Sequence, residues 1–356
     1  MSVVLTKSRF INAIRCYVSY ALNRLGSARF IHQYINTSIH HFPLFVSVEP
    51  AAVCQLRCPE CPVGRGENQK SKIKNQKSNI KNQTSPIMPR SVWERTLNEV
   101  KQQAWVIQFY FQGEPLLNKD LPLMIREAHD AGLYTIVSTN AQAMTPDMAH
   151  ALVTAGLDRI IISMDGLTDK TYNAYRIGAS LEKTKAALRY LRESKIKNQK
   201  SKIKNQKSKI KNQKSKILIE LQVLRLKSNE HEWSEFKRQY KALGADTLTF
   251  KTAQLYDYEN GHSLMPTDPK YSRYIQGQDG KYHRRPLRKG CFRVWSGVVI
   301  TTNGEVLPCC YDKAHTYTYG NILSAPLREL FCSDKANAFR QAAMRETPHI
   351  CQECYR

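Results

Sequence analysis

The sequence predicts an α/β fold of consecutive βα units followed by a small second domain. Three observations carry that prediction. Between residues 44 and 254, six apolar runs of strand length alternate with helix-like segments. Polar residues cluster where these runs end. Beyond residue 285 the alternation stops, and two short strand-like runs flank Asn303–Gly304, a hairpin-turn pair.

Each element has a local reason. LFVSVEP (44–50) is β-branched and apolar, and leads into a cysteine-rich loop. A helix is expected over 91–103, with Ser91 and Glu94 spaced as a capping box. WVIQFYFQGEP (105–115) is the second strand, and the helix after it ends near Gly132. YTIVSTNA (134–141) is the third strand; Thr145 and Pro146 open the next helix and Gly156 closes it. RIIISMDG (159–166) precedes a helix over about 181–193, and ILIELQVLRL (217–226) and TLTFKTAQ (247–254) complete the set. Six strands each followed by a helix or loop describe consecutive βα units and hence a parallel sheet, in an open or closed barrel. Chemistry in such a barrel gathers at the C-terminal ends of the strands. Gln112–Gly113–Glu114, Ser138–Thr139–Asn140, Ser163, Asp165 and Lys251–Thr252 all fall there. The chain divides into an N-terminal helical segment (1–43), the barrel (44–255) and a C-terminal domain (285–356) with the hairpin and a helix over about 325–345.

A net charge of +24 suggests nucleic acid until its location is considered. Residues 69–85 and 194–217 are tandem copies of KSKIKNQ, and without their 15 lysines the charge falls to +9. One Ile per seven residues is too little to bury a helix stripe, so both insertions are expected to be solvated and mobile. No aromatic residue interrupts them to stack on bases, which argues against a nucleic-acid partner. No apolar run reaches the ~20 residues of a membrane span, and the N-terminus lacks a signal-peptide pattern, so a cytoplasmic location is expected. Phe10, Ile14, Tyr17, Ala21 and Leu25 recur at helical spacing. Packing of that stripe against the barrel is the expectation, with peripheral membrane contact as the alternative.

Seven of the ten cysteines sit in short clusters, which favours metal over disulfides in a chain without an export signal. Cys54, Cys58 and Cys61 form C-x3-C-x2-C in the loop after the first strand. Structural zinc wants four ligands, so a zinc knuckle here needs a distant fourth; three thiolates suit a cubane iron–sulfur cluster with one open iron. This pattern resembles the radical S-adenosylmethionine superfamily. QGEP (112–115), covering Gly113, Glu114 and Pro115, resembles the family's glycine–glutamate–proline motif at the methionine amino group. STNA (138–141), with Thr139 and Asn140, resembles the third-strand segment. ISMDG (162–166) with Tyr172 and Arg176 resembles the fourth-strand motif, where Ser163 and Arg176 match positions near the ribose and the methionine carboxylate. Two residues depart from the pattern: Glu60 stands where an aromatic is usual, and Gln112 where a glycine is usual.

Cys291, Cys309, Cys351 and Cys354 give C-x17-C, a long gap and C-x2-C. Taken alone, four cysteines also read as structural zinc. Beside the first motif, they resemble a SPASM domain in its shortened twitch form, holding one auxiliary 4Fe–4S cluster. The spacing is similar to that of the radical dehydrogenase acting on 2-deoxy-scyllo-inosamine. Cys16, Cys310 and Cys332 are left over, the last two as buried free thiols. The resemblance implies a partial (β/α)6 TIM-like barrel, and a 4Fe–4S cluster on Cys54, Cys58 and Cys61 that reductively cleaves S-adenosylmethionine to a 5′-deoxyadenosyl radical. That radical takes hydrogen from a small-molecule substrate, and the auxiliary cluster accepts the second electron. It also implies a low-potential donor such as flavodoxin or ferredoxin. A maturase acting on a ribosomal peptide is the alternative, and a zinc-stabilised basic nucleic-acid-binding protein the remote one. Lys251, Tyr256, Asp257, Arg293, Trp295 and Asp312 are further candidates for substrate or supporting contacts.

Overall fold

The computed structural model describes residues 4–25, 41–66, 85–204, 217–285, 290–352 and 354. Six parallel strands stand side by side in chain order: β1 (Phe45–Val48), β2 (Val106–Phe109), β3 (Tyr134–Thr139), β4 (Arg159–Ser163), β5 (Leu218–Arg225) and β6 (Thr247–Thr252). The connections carry α2 (Arg90–Val100), α3 (Leu121–Asp130), α4 (Pro146–Thr154), α5 (Asp169–Asn173), α6 (Leu181–Lys204) and α7 (Trp233–Gln239), after an N-terminal α1 (Lys7–Leu25). Side chains alternate across the sheet with period two. Ile107, Phe109, Val137, Ile160, Ile162 and Leu221 join the main core with the helices, whereas Val106, Ile136 and Ile161 form a separate small cluster on the other face. On that second face the Gln108 amide oxygen accepts from Ser47 Oγ (3.0 Å) and from the Arg293 guanidinium (3.2 Å).

The expected second domain does not stand apart from the barrel sheet. β9 (Gly297–Ile300) pairs in parallel with the free edge of β1, Phe45 opposite Gly297. β10 (Glu305–Leu307) and β11 (Gly320–Asn321) extend it, giving one nine-stranded sheet; a β7–β8 ribbon (Tyr274–Gln276, Tyr282–Arg284) lies outside it. The hairpin turn is where expected, with Gly304 at φ +83°. The helix expected over 325–345 is instead two, α9 (Leu327–Cys332) and α10 (Asp334–Arg345). Ser333 breaks it because its extended backbone (ψ 158°) lets its side chain cap Ala336 N–H. Short α8 (Phe292–Ser296) precedes β9, and α11 (His349–Gln352) lies close to the C-terminus.

Three further expectations need correction. α2 starts at Arg90 with Pro89 as N-cap and no side-chain cap, so the Ser91–Glu94 capping box does not form. β2 ends at Phe109, because the chain turns there into the QGEP loop. The second lysine-rich repeat is not wholly outside regular structure, since α6 runs on to Lys204. Extending an existing helix costs far less than nucleating one, and Lys195 pairs with Asp246 at 2.7 Å. The first repeat up to residue 84, and residues 205–216 of the second, lie outside the described residues.

The N-terminal helix packs on the barrel, but not through the expected stripe. Arg9 is its anchor, donating to Lys101 O and Ala131 O (2.7 and 2.8 Å) and to Gly132 O (2.7 Å). Those carbonyls end α2 and α3, where the helix dipoles favour a cation.

Candidate metal centres

Cys54, Cys58 and Cys61 occupy the loop leaving β1, at the C-terminal end of the parallel strands. Arg57 N–H donates to Ile177 O (3.0 Å), Cys61 N–H to Cys58 O (3.2 Å) and Arg65 N–H to Cys61 O (2.8 Å). The loop folds tightly on itself at Gly64, where a Cβ would stand 2.5 Å from Cys58 O. A glycine three positions after the last cysteine was the sequence signal for this, and was overlooked. The sulfurs attract donors: Leu56 N–H and Asn140 Nδ2 both point at Cys54 Sγ (3.4 Å each). The Arg176 guanidinium lies beside the Cys58 thiol. These groups fit a thiolate-held cluster, because N–H donors and a cation stabilise sulfur's negative charge. Burial pushes the Cys54 thiol up to about 11 and the Cys58 thiol upward, so iron binding here displaces protons.

The QGEP loop is pressed against this one. A Cβ on Gly113 would lie 2.0 Å from Ala51 O, and Glu114 N–H donates to Val53 O (2.9 Å). The Glu114 carboxylate is buried and accepts from Thr139 Oγ1 (2.5 Å), Asn140 N–H (2.8 Å) and Leu116 N–H (3.1 Å). Burial raises its carboxyl above the ordinary range, against those three donors. Both oxygens therefore brace the end of β2 to the end of β3, while Pro115 starts a short 3-10 turn. Asn140 carries the brace onward, accepting from Gln55 Nε2 (3.1 Å) while donating to Cys54.

From the β4 side, Arg176 Nε donates to Asp165 Oδ2 (2.6 Å), and Asp165 Oδ1 accepts from Leu224 N–H (2.6 Å). Burial opposes the Arg176 charge, but Asp165 and Cys58 outweigh it and hold the guanidinium protonated. Ser163 is buried at the end of β4, opposite Gln222 of β5. Thus Cys54, Cys58, Glu114, Thr139, Asn140 and Arg176 form one connected group. Sequence reasoning noticed Asp165 as a strand-end residue but missed its pairing with Arg176, which needs the turn at Gly166 to bring them together.

Both departures from the family pattern now have a physical account. Glu60 is buried; its carboxylate accepts from Tyr256 N–H (2.5 Å) and faces His262 Nε2 (3.4 Å). His262 Nδ1 accepts from Leu264 N–H (3.1 Å), so Nε2 carries the proton toward Glu60. Gln112 Nε2 donates to Lys313 O (2.9 Å), and Lys313 Nζ reaches Tyr256 OH (3.4 Å). The two side chains thus tie the cysteine loop, the loop after β6 and the second domain to one another. Glu60→Tyr removes the acceptor for Tyr256 N–H, at a cost of about 1–3 kcal/mol. The expected result is faster hydrogen exchange across 253–265, with Glu60→Gln close to wild type. Unchanged exchange in the tyrosine variant would show that the clamp does not hold that loop.

In the second domain, burial drives the Cys309 thiol well up, and Cys310, Cys351 and Cys291 lie near enough to add to the rise. Tyr311 N–H donates to Cys309 Sγ (3.4 Å), and Cys354 N–H to Cys351 O (3.1 Å). Among the described residues no three His, Cys, Asp or Glu side chains converge on a single ion position. A cubane makes a looser demand, spreading four thiolates over four irons. Of the remaining cysteines, Cys16 donates to Trp295 O (3.4 Å) and Cys332 to His41 O (3.7 Å), both structural. Trp295 is buried against His41, and Asp312 accepts from Thr316 and Tyr317 N–H (2.8 and 2.9 Å). Lys251 and Asp257 are exposed.

Family models of the Radical SAM superfamily and of an iron–sulfur cluster-binding domain, SPASM, match residues 48–204 and 291–355. The chain is similar to a tungsten-containing aldehyde ferredoxin oxidoreductase cofactor-modifying protein of Pyrococcus furiosus, with 23% identity over 341 residues (87% of this chain, 86% of that protein). It is also similar to a PqqA peptide cyclase of Streptomyces rochei, with 24% identity over 290 residues (73% and 72%). The fold matches that of anSMEcpe with bound AdoMet at a TM-score of 0.59 and 19% identity, covering 88% of this chain and 83% of that one. The cofactors of these two domains are a 4Fe–4S cluster with S-adenosylmethionine and auxiliary iron–sulfur binding. Three thiols on the loop after β1, the QGEP brace and a second group of cysteines all agree with the matches: this chain belongs to the radical S-adenosylmethionine superfamily, in the group that carries a SPASM domain.

Proposed function

We propose that the protein cleaves S-adenosylmethionine reductively and oxidises a small polar molecule by hydrogen abstraction. The observation that carries this reading is the linkage of the three-cysteine loop to both the barrel and the second domain. Cys54, Cys58 and Cys61 would hold the catalytic cluster, which when bound supplies the electron that breaks the sulfonium bond. Gly113, Glu114, Pro115, Thr139 and Asn140 hold the loop to β2 and β3. Ser163 and Arg176 border it from β4. Cys291, Cys309, Cys351 and Cys354 would hold an auxiliary cluster able to take the second electron. The polar group on the second barrel face, where Ser47, Gln108 and Arg293 meet, suits a substrate with hydrogen-bonding groups.

The second reading, modification of a ribosomal peptide, is favoured by the peptide cyclase among the relatives. Anaerobic reconstitution should load about eight irons per chain, as two cubanes require. Reduction with S-adenosylmethionine should then yield 5′-deoxyadenosine. Feeding deuterated extract fractions of small metabolites and of peptides, and reading deuterium in the 5′-deoxyadenosine, separates the two substrates. Zinc with little iron and no cleavage would overturn both.

A further inference from the structure

α1 is mounted with its polar side inward. Its buried positions are Arg9, Asn12, Cys16, Ser19 and Asn23, at 0–9% exposure. Four of these five side chains hydrogen-bond: Arg9 and Cys16 as described above, Asn12 with Phe42 N–H and O (2.8 and 3.1 Å), and Asn23 with Ser19 O and Gln341 (2.7 Å each). The opposite face is apolar and open to solvent. Phe10 is 58% exposed, Ile14 48%, Tyr17 63%, Ile11 37% and Val18 36%.

At 100° per residue these five side chains span an arc of about 120°, centred away from the barrel. Arg24 and Arg15 stand at its two margins, and Lys7 at its N-terminal end. Residues 1–48 contain no Asp or Glu; the first acid is Glu49. A helix covering a soluble core normally shows the reverse arrangement.

We propose that this face of α1 lies in the headgroup–acyl boundary of a membrane containing anionic lipid. Its apolar side chains would enter the acyl region, while Lys7, Arg15 and Arg24 meet lipid phosphates. The charge pattern selects this occupant. A second copy would bring two sets of arginines together with no carboxylate in the segment to offset them, whereas anionic headgroups neutralise them. The helix lies on the membrane and does not span it: among the described residues no helix is long and apolar enough to cross. The proposal does not depend on the radical chemistry.

The test uses full-length, cluster-loaded protein and vesicles, either of equal parts phosphatidylglycerol and phosphatidylcholine or of phosphatidylcholine alone. Co-sedimentation should be strong with the first, weak with the second, and reduced by added salt. The triple variant Phe10→Ser/Ile14→Ser/Tyr17→Ser should lower partitioning more than about tenfold, because those side chains supply the buried apolar area. It should keep its iron content and circular dichroism, since Phe10 and Ile14 are open to solvent and Tyr17 gives up an edge contact with the Phe292 ring. Undiminished binding by the triple variant would assign lipid affinity to the lysine-rich segments and overturn the proposal. No binding by the wild type, or a dimer in light scattering that the triple variant abolishes, would overturn it as well.

Discussion

Gly113→Ala should reduce 5′-deoxyadenosine formation about a hundredfold, the scale of loss that a misplacement near 1 Å produces. The new Cβ would stand 2.0 Å from Ala51 O, 2.7 Å from Ala51 C and 2.8 Å from Val53 N, all of them backbone atoms. No side chain can rotate away to relieve that contact. The β2 loop and the cysteine loop have to separate, which breaks the 2.9 Å bond from Glu114 N–H to Val53 O. Gly66→Ala is the matched control. Gly66 also sits in this loop region, at φ +71°, but nothing lies within 4 Å of its Cβ position. Its substitution costs only the left-handed backbone penalty, roughly 1–2 kcal/mol. Comparable rates for the two variants would show that loop contact is not what positions the cluster.

Cys309→Ala should separate cleavage from product formation. Iron should fall from about eight to about four per chain, the content of one cubane. Cleavage of S-adenosylmethionine should remain within a few-fold of wild type, because the Cys54–Cys61 loop is bonded to Asn140, Ile177 and Tyr256 and not to Cys309. Oxidised product should become undetectable, since the second electron would lack its acceptor. Full product formation by this variant would remove the auxiliary cysteines from the electron path.

The alternation of strands and helices was readable because side-chain periodicity is a local property. The cysteine pattern was readable for a similar reason: Cys54, Cys58 and Cys61 crowd into one loop, so their spacing is itself a local property. Glycines and prolines also announced their turns, as Thr145–Pro146, Gly156 and Gly304 did. Expectations failed where local preference met a tertiary alternative. Ser91 and Glu94 are spaced for a capping box, yet Pro89 already sets the entry to α2. The run from 325 to 345 favours one helix, yet Ser333 gives two.

By itself, then, the sequence determined the barrel, the three-thiol loop and the second group of cysteines. The tertiary structure decided what long-range contacts alone can decide. β9 joins the edge of β1, so the second domain completes the barrel sheet. Glu60 and Gln112, which look like blemishes in a motif, become ties to Tyr256 and Lys313 because loops far apart in sequence meet there. The N-terminal stripe faces out because Arg9 finds the carbonyl ends of two helices, and those bonds outweigh the apolar contact that its pattern predicts.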